Sequence, residues 1–482
     1  MKVSQMILPP NKTKIVCTIG PASESLEVME KMILAGMNVA RLNFSHGGFD
    51  GHKKAIENLR TAAKATGRRV AILADLPGPK MRIGELAEEP IVVEPDGRFI
   101  LTTEEIIGDS RRVSVSFPGL PKAVKPGDVL YLSDGYIQIE VVKVRGEDVE
   151  CRVVAGGELR SRKGLNLPGI DLGISAFTEH DRECLKFALE QGVDAVSQSF
   201  VEKKEDIIAV RQAAAELDSH PFVIAKIERA RAKDNLEEII DTADGIMIAR
   251  GDLGVEIPIE RIAIAQKDLM YLANKKGKPV ITATQMLESM TEYPRPTRAE
   301  STDVANAILD GTDCVMLSGE SAMGKYPVEA VKMLAKIAAA VEPRRPGHHV
   351  RNDLRACGLN CSLDLKDLIA LSVETSMETV SPAALIVPSK SGATVRSITR
   401  FRLPVWIAAV SSKEATCQQL QFSYGVQPFY LPDGEIEDWN SFAREWLKKH
   451  ELEGDLVILA AGPSPRHPKA NNRMEIIDLR RG

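Results

Sequence analysis

Eight short runs rich in β-branched residues lie within residues 14–321, and helical patterns separate most of them. Repeated strand–helix units predict a parallel sheet, and eight of them predict a closed (β/α)8 TIM barrel. Such barrels carry their chemistry where the strands end, so polar residues at those ends are the first candidates for an active site. The runs are KIVCTIG from Lys14, VARLN from Val39, VAILAD from Val70, VDAVSQSF from Val193, FVIAKIE from Phe222, GIMIARGD from Gly245, PVITATQ from Pro279 and CVMLSGE from Cys314.

Two further regions interrupt and follow this series. From about Lys80 to Asp171 strand-like runs alternate with turn signals such as Pro-Asp-Gly, which predicts a small β-barrel domain inserted in one barrel loop. Such an insert borders the active site and would act as a lid. After a Pro-rich stretch at residues 342–349, alternating patterns predict an open α/β sheet. The predicted domains are residues 1–79 and 172–342 for the barrel, 80–171 for the inserted domain and 343–482 for the C-terminal α/β domain.

The bulk composition argues against several classes of protein. The 482 residues include 62 basic and 67 acidic ones, and a net charge of −5 disfavours general nucleic-acid or membrane-surface binding. No apolar run is long enough to span a membrane, and no secretory signal is recognisable, so we expect a cytoplasmic protein. Seven dispersed cysteines favour reduced thiols. Cys357 and Cys361 could be half of a metal site, but no second Cys/His pair accompanies them.

Two neighbouring predicted strands end in a lysine and two carboxylates. Lys226 and Glu228 are two residues apart, and side chains with that spacing on a strand face the same way. Asp252 follows the next run, beside glycines that let the backbone approach a ligand. Carboxylates from adjacent strands suit Mg²⁺, and the ammonium could stabilise an oxyanion or a phosphoryl group. The alternative is a buried ion pair in the barrel wall. The strand ends together carry Asn43, Asp75, Lys226, Glu228, Asp252, Thr284 and Glu320.

The second and seventh runs also end in polar groups. Arg41, Asn43, Ser45 and His46 offer a guanidinium, an amide and a hydroxyl, which suit phosphate and oxygen-rich ligands. Arg41 could instead be a structural ion-pair partner. Thr284 would place a hydroxyl over the same barrel mouth, and a helix cap is the alternative reading of an isolated threonine.

Nine strings along the chain read TKIVCTIGPAS, NVARLNFSHG, DLPGPK, RKGLNLPG, AKIER, IARGDLGVEIP, ITATQMLESM, PRPTRAESTDVANAILDGTD and VMLSGESAMGKYPVEA. Together they resemble the pyruvate kinase family. The resemblance implies a barrel domain, an inserted β-barrel domain and a C-terminal α/β domain, assembled as a homotetramer. It also implies transfer of the phosphoryl group of phosphoenolpyruvate to ADP, giving pyruvate and ATP, with Mg²⁺ or Mn²⁺ as cofactor.

The resemblance assigns roles to individual residues. Arg41 would hold the phosphoryl group, and Lys226 would stabilise its charge in transit and that of the enolate. Glu228 and Asp252 would hold the divalent metal. Proton delivery to the enolate stays open, with Thr284 and water as one route.

The same motifs imply how the two substrates are seated. The backbone of Gly251 and Asp252, with Thr284, would bind the substrate carboxylate. The nucleotide-contact positions, with Lys163 reaching over from the lid, are Asn43, Ser45, His46, Arg82 and Lys163.

The segment after the third run departs from the pattern of many family members. Asp75-Leu76-Pro77-Gly78-Pro79-Lys80 stands where many read Asp-Thr-Lys-Gly-Pro-Glu and require K⁺. A lysine supplies a cation where a glutamate would need one bound, and leucine lacks the threonine hydroxyl. We therefore expect no K⁺ requirement, with Lys80 as a catalytic residue; a solvated lysine at the lid hinge is the alternative. The vestigial cation site would comprise Asn43, Ser45, Asp75 and Leu76. A second departure, Ala230-Arg231-Ala232-Lys233, bears on local packing rather than on activity.

In the C-terminal region, the turn within VPSKSGATVRSITR (387–400) carries hydroxyls and backbone amides before a predicted helix. Such a turn forms a phosphate nest, and the family uses the corresponding loop for sugar-phosphate or nucleotide effectors. A phosphorylated activator is therefore expected, its identity open; a Ser/Thr-rich helix cap without a ligand is the alternative. The candidate residues are Ser389, Lys390, Ser391, Gly392 and Thr394.

Three other functions compete with this hypothesis. An aldolase-like barrel acting on phosphoenolpyruvate or pyruvate would share the Mg²⁺ carboxylates but would not need the lid or Lys163. A regulatory protein without activity would be expected to have lost Lys226 or a metal carboxylate. RNA binding is disfavoured by the net charge.

Overall fold

The computed structural model describes residues 8–345, 349–360, 364–432, 436, 438–462 and 472–480. All eight predicted barrel strands are present, and they form a closed parallel barrel in which each strand pairs with its neighbours in the chain and the eighth pairs with the first. The prediction of a (β/α)8 barrel is confirmed. The strands are Lys14–Thr18, Met37–Asn43, Ala71–Leu76, Ala195–Gln198, Phe222–Ile227, Gly245–Ala249, Val280–Ala283 and Cys314–Leu317.

Helices cover the outside of the barrel, and local capping residues fix where several of them begin. Ser25 accepts a hydrogen bond from the amide of Val28, and Thr178 and Thr297 each form a capping box with the acidic residue three positions on. The barrel helices are Leu26–Ala35, Phe49–Thr66, Glu179–Glu190, Lys204–Ala215, Leu236–Thr242, Ile262–Lys275, Arg298–Asp310 and Pro327–Val341, with short helices at Arg250–Glu256 and Gly319–Ala322.

The barrel strands alternate between two buried layers. On the third strand, Ala71 and Leu73 belong to the core inside the barrel, whereas Ile72, Ala74 and Leu76 belong to the core between strands and helices. Parallel sheets covered on both faces show this double burial. The alternation decides which side chains can reach the mouth.

The region inserted after the third strand is an all-β lid with its own core around Phe99 and Leu101. Residues 81–84 hydrogen-bond to both edge strands of its six-stranded sheet: Leu165 N donates to Met81 O at 3.0 Å, and Gly84 N donates to Ser114 O at 2.8 Å. These bonds bring the sheet round into the small barrel that was predicted. The lid strands are Ile91–Val93, Arg98–Thr102, Arg112–Ser114, Val129–Leu132, Ile137–Arg145, Asp148–Ala155, Gly157–Leu159 and Leu165–Asn166, with a short helix at Leu120–Ala123.

The C-terminal region contains an open five-stranded sheet, as predicted, in which only the last strand is antiparallel to its neighbour. It docks on the barrel through polar contacts such as Arg402 Nη2 to Asp313 Oδ2 at 2.6 Å. Its strands are Ala384–Pro388, Trp406–Ser411, Val426–Tyr430, Leu456–Ala461 and Arg473–Asp478, and its helices are His349–Asn360, Leu365–Ser376, Ala393–Thr399, Glu414–Gln419 and Trp439–Lys449.

The described residues form four sheets, namely the barrel, a six-stranded and a two-stranded sheet in the lid, and the C-terminal sheet. Each falls inside one of the three predicted domains, whose boundaries stay a prediction. None of the described helices is both long and apolar enough to cross a bilayer. The Cys357/Cys361 pair considered above lies outside the residues whose side chains are described.

Candidate active site

Lys226 lies at the end of the fifth barrel strand with its ammonium surrounded by polar groups. Its Nζ is 2.9 Å from Glu228 Oε1, 3.3 Å from Asp75 Oδ1 and 2.6 Å from Ser199 Oγ. Burial acts to lower the pKa of Lys226, but the charges of Asp75 and Glu228 outweigh it and raise that pKa. The ammonium therefore stays protonated in a nearly dry site. The buried ion pair considered as the alternative is present, and it lies at the mouth.

Arg41 and Lys226 meet at the same carboxylate. Arg41 Nε donates to Asp75 Oδ2 at 2.8 Å, Nη2 donates to the same oxygen, and Nη1 donates to Thr18 Oγ1 at 2.9 Å. Ser197 Oγ donates to the other oxygen of Asp75 at 2.6 Å. Although burial acts to raise it, the charges of Lys226 and Arg41 hold the pKa of Asp75 below its usual range. Asp75 thus positions two cations side by side.

Glu228 and Asp252 form the pair predicted to hold a divalent metal. Burial raises the pKa of Glu228, the charge of Asp252 raises it further, and Lys226 opposes both. Two carboxylates that repel each other in a buried mouth fit a bound cation, which would relieve the repulsion. Among the described residues, no group of three or more His, Cys, Asp or Glu could hold a metal. Mg²⁺ is commonly held by one or two protein carboxylates, with substrate and water at its other positions, so this pair fits such an ion.

Thr284 and Gln285 occupy the left-handed region, with φ values of 68° and 52°. For a β-branched residue this conformation is strained, and such strain is concentrated at functional sites. Arg250 Nη2 donates to Thr284 O at 2.7 Å, and Thr284 Oγ1 accepts from Gly251 N at 2.7 Å. Thr284 therefore does cap a helix, the neighbouring Arg250–Glu256, while its hydroxyl faces the same turn as Asp252.

The predicted nucleotide-contact residues gather in part. The carboxamide oxygen of Asn43 accepts from Ser45 N at 3.2 Å. Burial lowers the pKa of His46, and the positive charges of Arg82, Lys80 and Arg41 lower it further.

Lys163 is half-buried in the lid, where its carbonyl accepts from Ile83 N at 3.0 Å. Within the described part of the chain, its side chain makes no hydrogen bond or ion pair with the barrel. The structure brings Lys163 close to Arg82, which pairs with Gly164 in a β-bridge, but shows no contact of its side chain with Asn43, Ser45 or His46.

The side chain of Lys80 reaches the mouth of the barrel, whereas that of Leu76 does not. Lys80 Nζ lies 3.3 Å from Asp252 Oδ1, so the lysine reaches the mouth instead of extending into solvent. Leu76 is wholly buried between strand and helix, on the face opposite Asp75. The prediction that Leu76 deprives the vestigial cation site of a hydroxyl is wrong. A threonine side chain at this position would also point away from the mouth. Only the carbonyl of Leu76 is available on the other side, and it accepts from Ser199 Oγ at 2.7 Å.

Sequence reasoning missed several residues that hold the site together. Ser197 and Ser199 contact Asp75 and Lys226, and their spacing of two in VDAVSQSF could have shown that they share a face. Phe200, with φ of 58°, directs its amide to Glu228 Oε2 at 2.8 Å, and no sequence signal indicates this conformation. Glu320, a candidate from its strand end, is structural, because its oxygens accept from the amides of Leu287 and Ser318.

The predicted effector loop precedes the helix Ala393–Thr399. Gly392 N donates to Ser389 Oγ at 3.0 Å, and Ala393 N is 3.4 Å from Ser391 Oγ. Lys390 O accepts from Thr416 Oγ1 at 2.8 Å. The hydroxyls of Ser389 and Ser391 therefore accept from amides at the start of the helix, whose N-cap residue is Gly392, and Thr394 lies in its first turn.

The chain matches two family profiles over most of its length. "Pyruvate kinase, barrel domain" matches residues 10–331, and "Pyruvate kinase, alpha/beta domain" matches residues 367–477. The chain belongs to the pyruvate kinase family. It is 49% identical to a pyruvate kinase of Thermococcus litoralis over 98% of this chain and 100% of that one. It is 42% identical to that of Geobacillus stearothermophilus and 41% to that of Staphylococcus aureus (strain MRSA252), each over 96% of this chain and 80% of the relative. The chain is an enzyme of the pyruvate kinase type.

Proposed function

We propose that the enzyme transfers the phosphoryl group of phosphoenolpyruvate to ADP, as the last step of glycolysis in the cytoplasm, and that it needs Mg²⁺ or Mn²⁺ but not K⁺. One arrangement carries the proposal. The cations of Arg41 and Lys226 both contact Asp75, Glu228 contacts Lys226, and the charge of Asp252 acts on Glu228. Phosphoryl transfer requires positioning and positive charge more than covalent help from the protein.

The residues divide the reaction between them. Arg41 orients the phosphoryl group, and the ammonium of Lys226 stabilises its charge as the bond to the enol oxygen breaks and the bond to a β-phosphate oxygen of ADP forms. Lys226 then stays beside the enolate oxygen until carbon takes up a proton and pyruvate forms. Glu228 and Asp252 would hold the divalent metal, which when bound neutralises negative charge on the substrates.

The strained turn at Thr284 supports the seating of the substrate carboxylate. Its hydroxyl accepts from Gly251 N, at the start of the short helix that carries Asp252. Helix N-termini favour anions because their amides and dipole are positive. Thr284 is also the hydroxyl through which a water molecule would deliver the proton to the enolate.

Nucleotide binding is assigned to Asn43, Ser45, His46 and Arg82. His46 is surrounded by the cations Arg82, Lys80 and Arg41, a setting that suits the phosphates of ADP. For Lys163 to contact the nucleotide as well, the lid would have to move toward the barrel. A phosphorylated activator at the loop 389–394 and a homotetramer complete the proposal.

A coupled assay tests the main reaction. Purified enzyme with phosphoenolpyruvate, ADP and Mg²⁺ should form pyruvate and ATP in equal amounts. Omission of ADP should stop pyruvate formation, which separates this reaction from aldol or hydrolytic chemistry on the same substrate. Pyruvate no faster than the background rate with both substrates present would refute the proposal.

A further inference from the structure

The lid is joined to the barrel by two segments, an outgoing one of residues 77–80 after the third barrel strand and a returning one of residues 168–178 before the next barrel helix. Both segments bond to one carboxylate. Gly78 N donates to Asp181 Oδ1 at 2.8 Å. Thr178 N and Thr178 Oγ1 donate to Asp181 Oδ2 at 2.8 and 2.7 Å. A single side chain of the barrel therefore holds both ends of the lid.

The carboxylate of Asp181 is fully buried, and among the described residues no lysine, arginine or histidine forms an ion pair with it. A buried carboxylate without a cation must be satisfied by hydrogen bonds. Asp181 lies in the first turn of its helix, where the helix dipole also favours negative charge. The cap of that helix uses only Oδ2, so the bond from Gly78 to Oδ1 is an additional one.

Gly78 is seated closely against two residues that support the active site. Its φ is 66°, and a Cβ there would lie 2.9 Å from Phe200 Cδ2 and 3.1 Å from Ser199 Cβ, so only glycine fits without a shift. Ser199 Oγ accepts from Lys226 Nζ at 2.6 Å. Phe200 N donates to Glu228 Oε2 at 2.8 Å. The outgoing segment therefore rests directly on the supports of two active-site side chains.

From Gly78 the chain turns at once toward the mouth. Lys80 N donates to Gly78 O at 2.9 Å, and Lys80 Nζ lies 3.3 Å from Asp252 Oδ1. Arg82 follows two residues later. We propose that Asp181 is a positioning residue, which holds Gly78 on the barrel and thereby fixes Lys80 and Arg82 at the nucleotide site. The inference rests on the proposed function, because that function assigns Arg82 to the nucleotide.

The substitution Asp181→Asn separates this tie from the helix cap. A carboxamide has one acceptor oxygen where the carboxylate has two, and Thr178 offers two donors where Gly78 offers one. The oxygen should therefore stay with Thr178, and the NH₂ group should face the amide of Gly78, which is left without an acceptor. Thr178→Val is the matched control, because it removes a hydroxyl from the cap and leaves the bond from Gly78 in place.

Hydrogen exchange of the full-length enzyme without substrates measures the tie. The two prolines of residues 77–80 carry no amide hydrogen, so exchange in this segment reports only Gly78 and Lys80. Both amides are hydrogen-bonded and should be protected in the unaltered enzyme. Asp181→Asn should raise exchange in this segment at least tenfold, and Thr178→Val should leave it unchanged.

Steady-state kinetics separate positioning from a loss of folded protein. Asp181→Asn should raise the KM for ADP at least fivefold, because Arg82 and Lys80 are no longer held in place. The KM for phosphoenolpyruvate should change less than twofold, because the residues assigned to that substrate lie at the ends of barrel strands. A smaller fraction of folded enzyme would lower the rate and leave both KM values unchanged. Thr178→Val should keep both values.

Four results would overturn the inference: unprotected amides in residues 77–80 of the unaltered enzyme, equal exchange in Asp181→Asn and the unaltered enzyme, an equal rise in Thr178→Val, or an unchanged KM for ADP in Asp181→Asn. The first result needs no variant, so it decides the matter even if Asp181→Asn does not fold. Failure of the unaltered enzyme to form pyruvate would refute the proposed function and the effect on KM. Exchange would still decide whether Asp181 holds the lid.

Discussion

The ammonium of Lys80 lies 3.3 Å from Asp252 Oδ1, so a residue at the base of the lid touches a carboxylate proposed to hold the metal. Both side chains are partly exposed, and exposed ion pairs contribute little to stability. The consequence of the contact is electrostatic. It fixes the ammonium of Lys80 next to Asp252, in the region where His46, Arg41 and Arg82 also lie. A second, diffusible monovalent cation would meet repulsion there, since like charges a few ångströms apart cost roughly a few kcal/mol near a protein surface.

We therefore predict that the enzyme runs at nearly full rate without K⁺. The measurement is the initial rate at saturating Mg²⁺, phosphoenolpyruvate and ADP, in about 100 mM KCl against the same concentration of tetramethylammonium chloride, so that screening is equal. Lys80→Glu should lower the K⁺-free rate, and K⁺ should partly restore it, because Asn43, Ser45 and Asp75 keep their oxygens and Leu76 faces away. Lys125→Glu, an exposed charge reversal elsewhere in the lid, is the control. Strong stimulation of the unaltered enzyme by K⁺ alone would show that Lys80 does not take the cation's place.

Replacement of Lys226 by methionine should lower the rate about a thousandfold, because the ammonium acts chiefly on charge that develops in the transition state. Asp75 would still be paired with Arg41, which limits the effect on folding. Single-turnover kinetics measure the change, and circular dichroism checks the fold. Lys204→Met removes a surface ion pair with Glu238 and should keep nearly the full rate. If Lys226→Met lowered the rate less than tenfold, Lys226 would be better explained as a partner in a structural ion pair.

Glu228→Gln and Asp252→Asn should each raise the Mg²⁺ concentration needed for half-maximal rate by tenfold or more. Each substitution removes one of only two carboxylates at the site and keeps the shape of the side chain. Glu260→Gln changes an exposed carboxylate shortly after the helix Arg250–Glu256, which carries Asp252, and should leave the Mg²⁺ dependence unaltered. If either variant keeps the Mg²⁺ dependence of the unaltered enzyme, the substituted residue is not a metal ligand.

The alternation of side chains on a strand explains both what the sequence predicted and one error. It placed Lys226 and Glu228 on one face, and their 2.9 Å contact agrees. Applied to the third strand, the same rule puts Leu76 on the face opposite Asp75, which excludes its side chain from a cation site in the mouth.

The strained backbone at Thr284 could not be predicted from the alternation of side chains along a strand. Its positive φ is held by a hydrogen bond from Arg250, which lies on another strand end. That pairing exists only once the barrel has closed. Local patterns therefore predicted the strand ends, but not the tertiary contacts that set their geometry.

The effector loop gives a fourth prediction. A phosphorylated metabolite such as glucose 6-phosphate or AMP should lower the apparent KM for phosphoenolpyruvate, and Lys390→Glu should weaken this by introducing a negative charge beside the phosphate. Because Ser389 and Ser391 already accept hydrogen bonds from the amides of Gly392 and Ala393, the ligand must displace or share those hydrogen bonds. Lys448→Glu reverses an exposed charge elsewhere in the same domain and is the control. Saturation curves unmoved by all such ligands would leave the loop as a helix cap.

The last prediction concerns the return of the chain from the lid to the barrel. Arg231, part of the departure noted after AKIER, donates from Nη2 to Asp171 at 3.0 Å, and its Nε lies 3.3 Å from Glu202. Its neighbour Arg229 donates to the carbonyl of Ile170 at 3.1 Å, so two arginines hold adjacent positions of the hinge.

We expect Arg231→Met to increase hydrogen exchange within residues 168–176 about two- to threefold, because exposed ion pairs of this kind contribute roughly 0.2–1 kcal/mol. Asp171→Asn should have a similar effect, and the double variant should add little to either single one if the two side chains act as a pair. Arg182→Met, which breaks an exposed ion pair with Glu216 on the barrel helices, should not change exchange in that segment. Unchanged exchange in Arg231→Met would mean that Arg229 and the backbone hold the hinge without it.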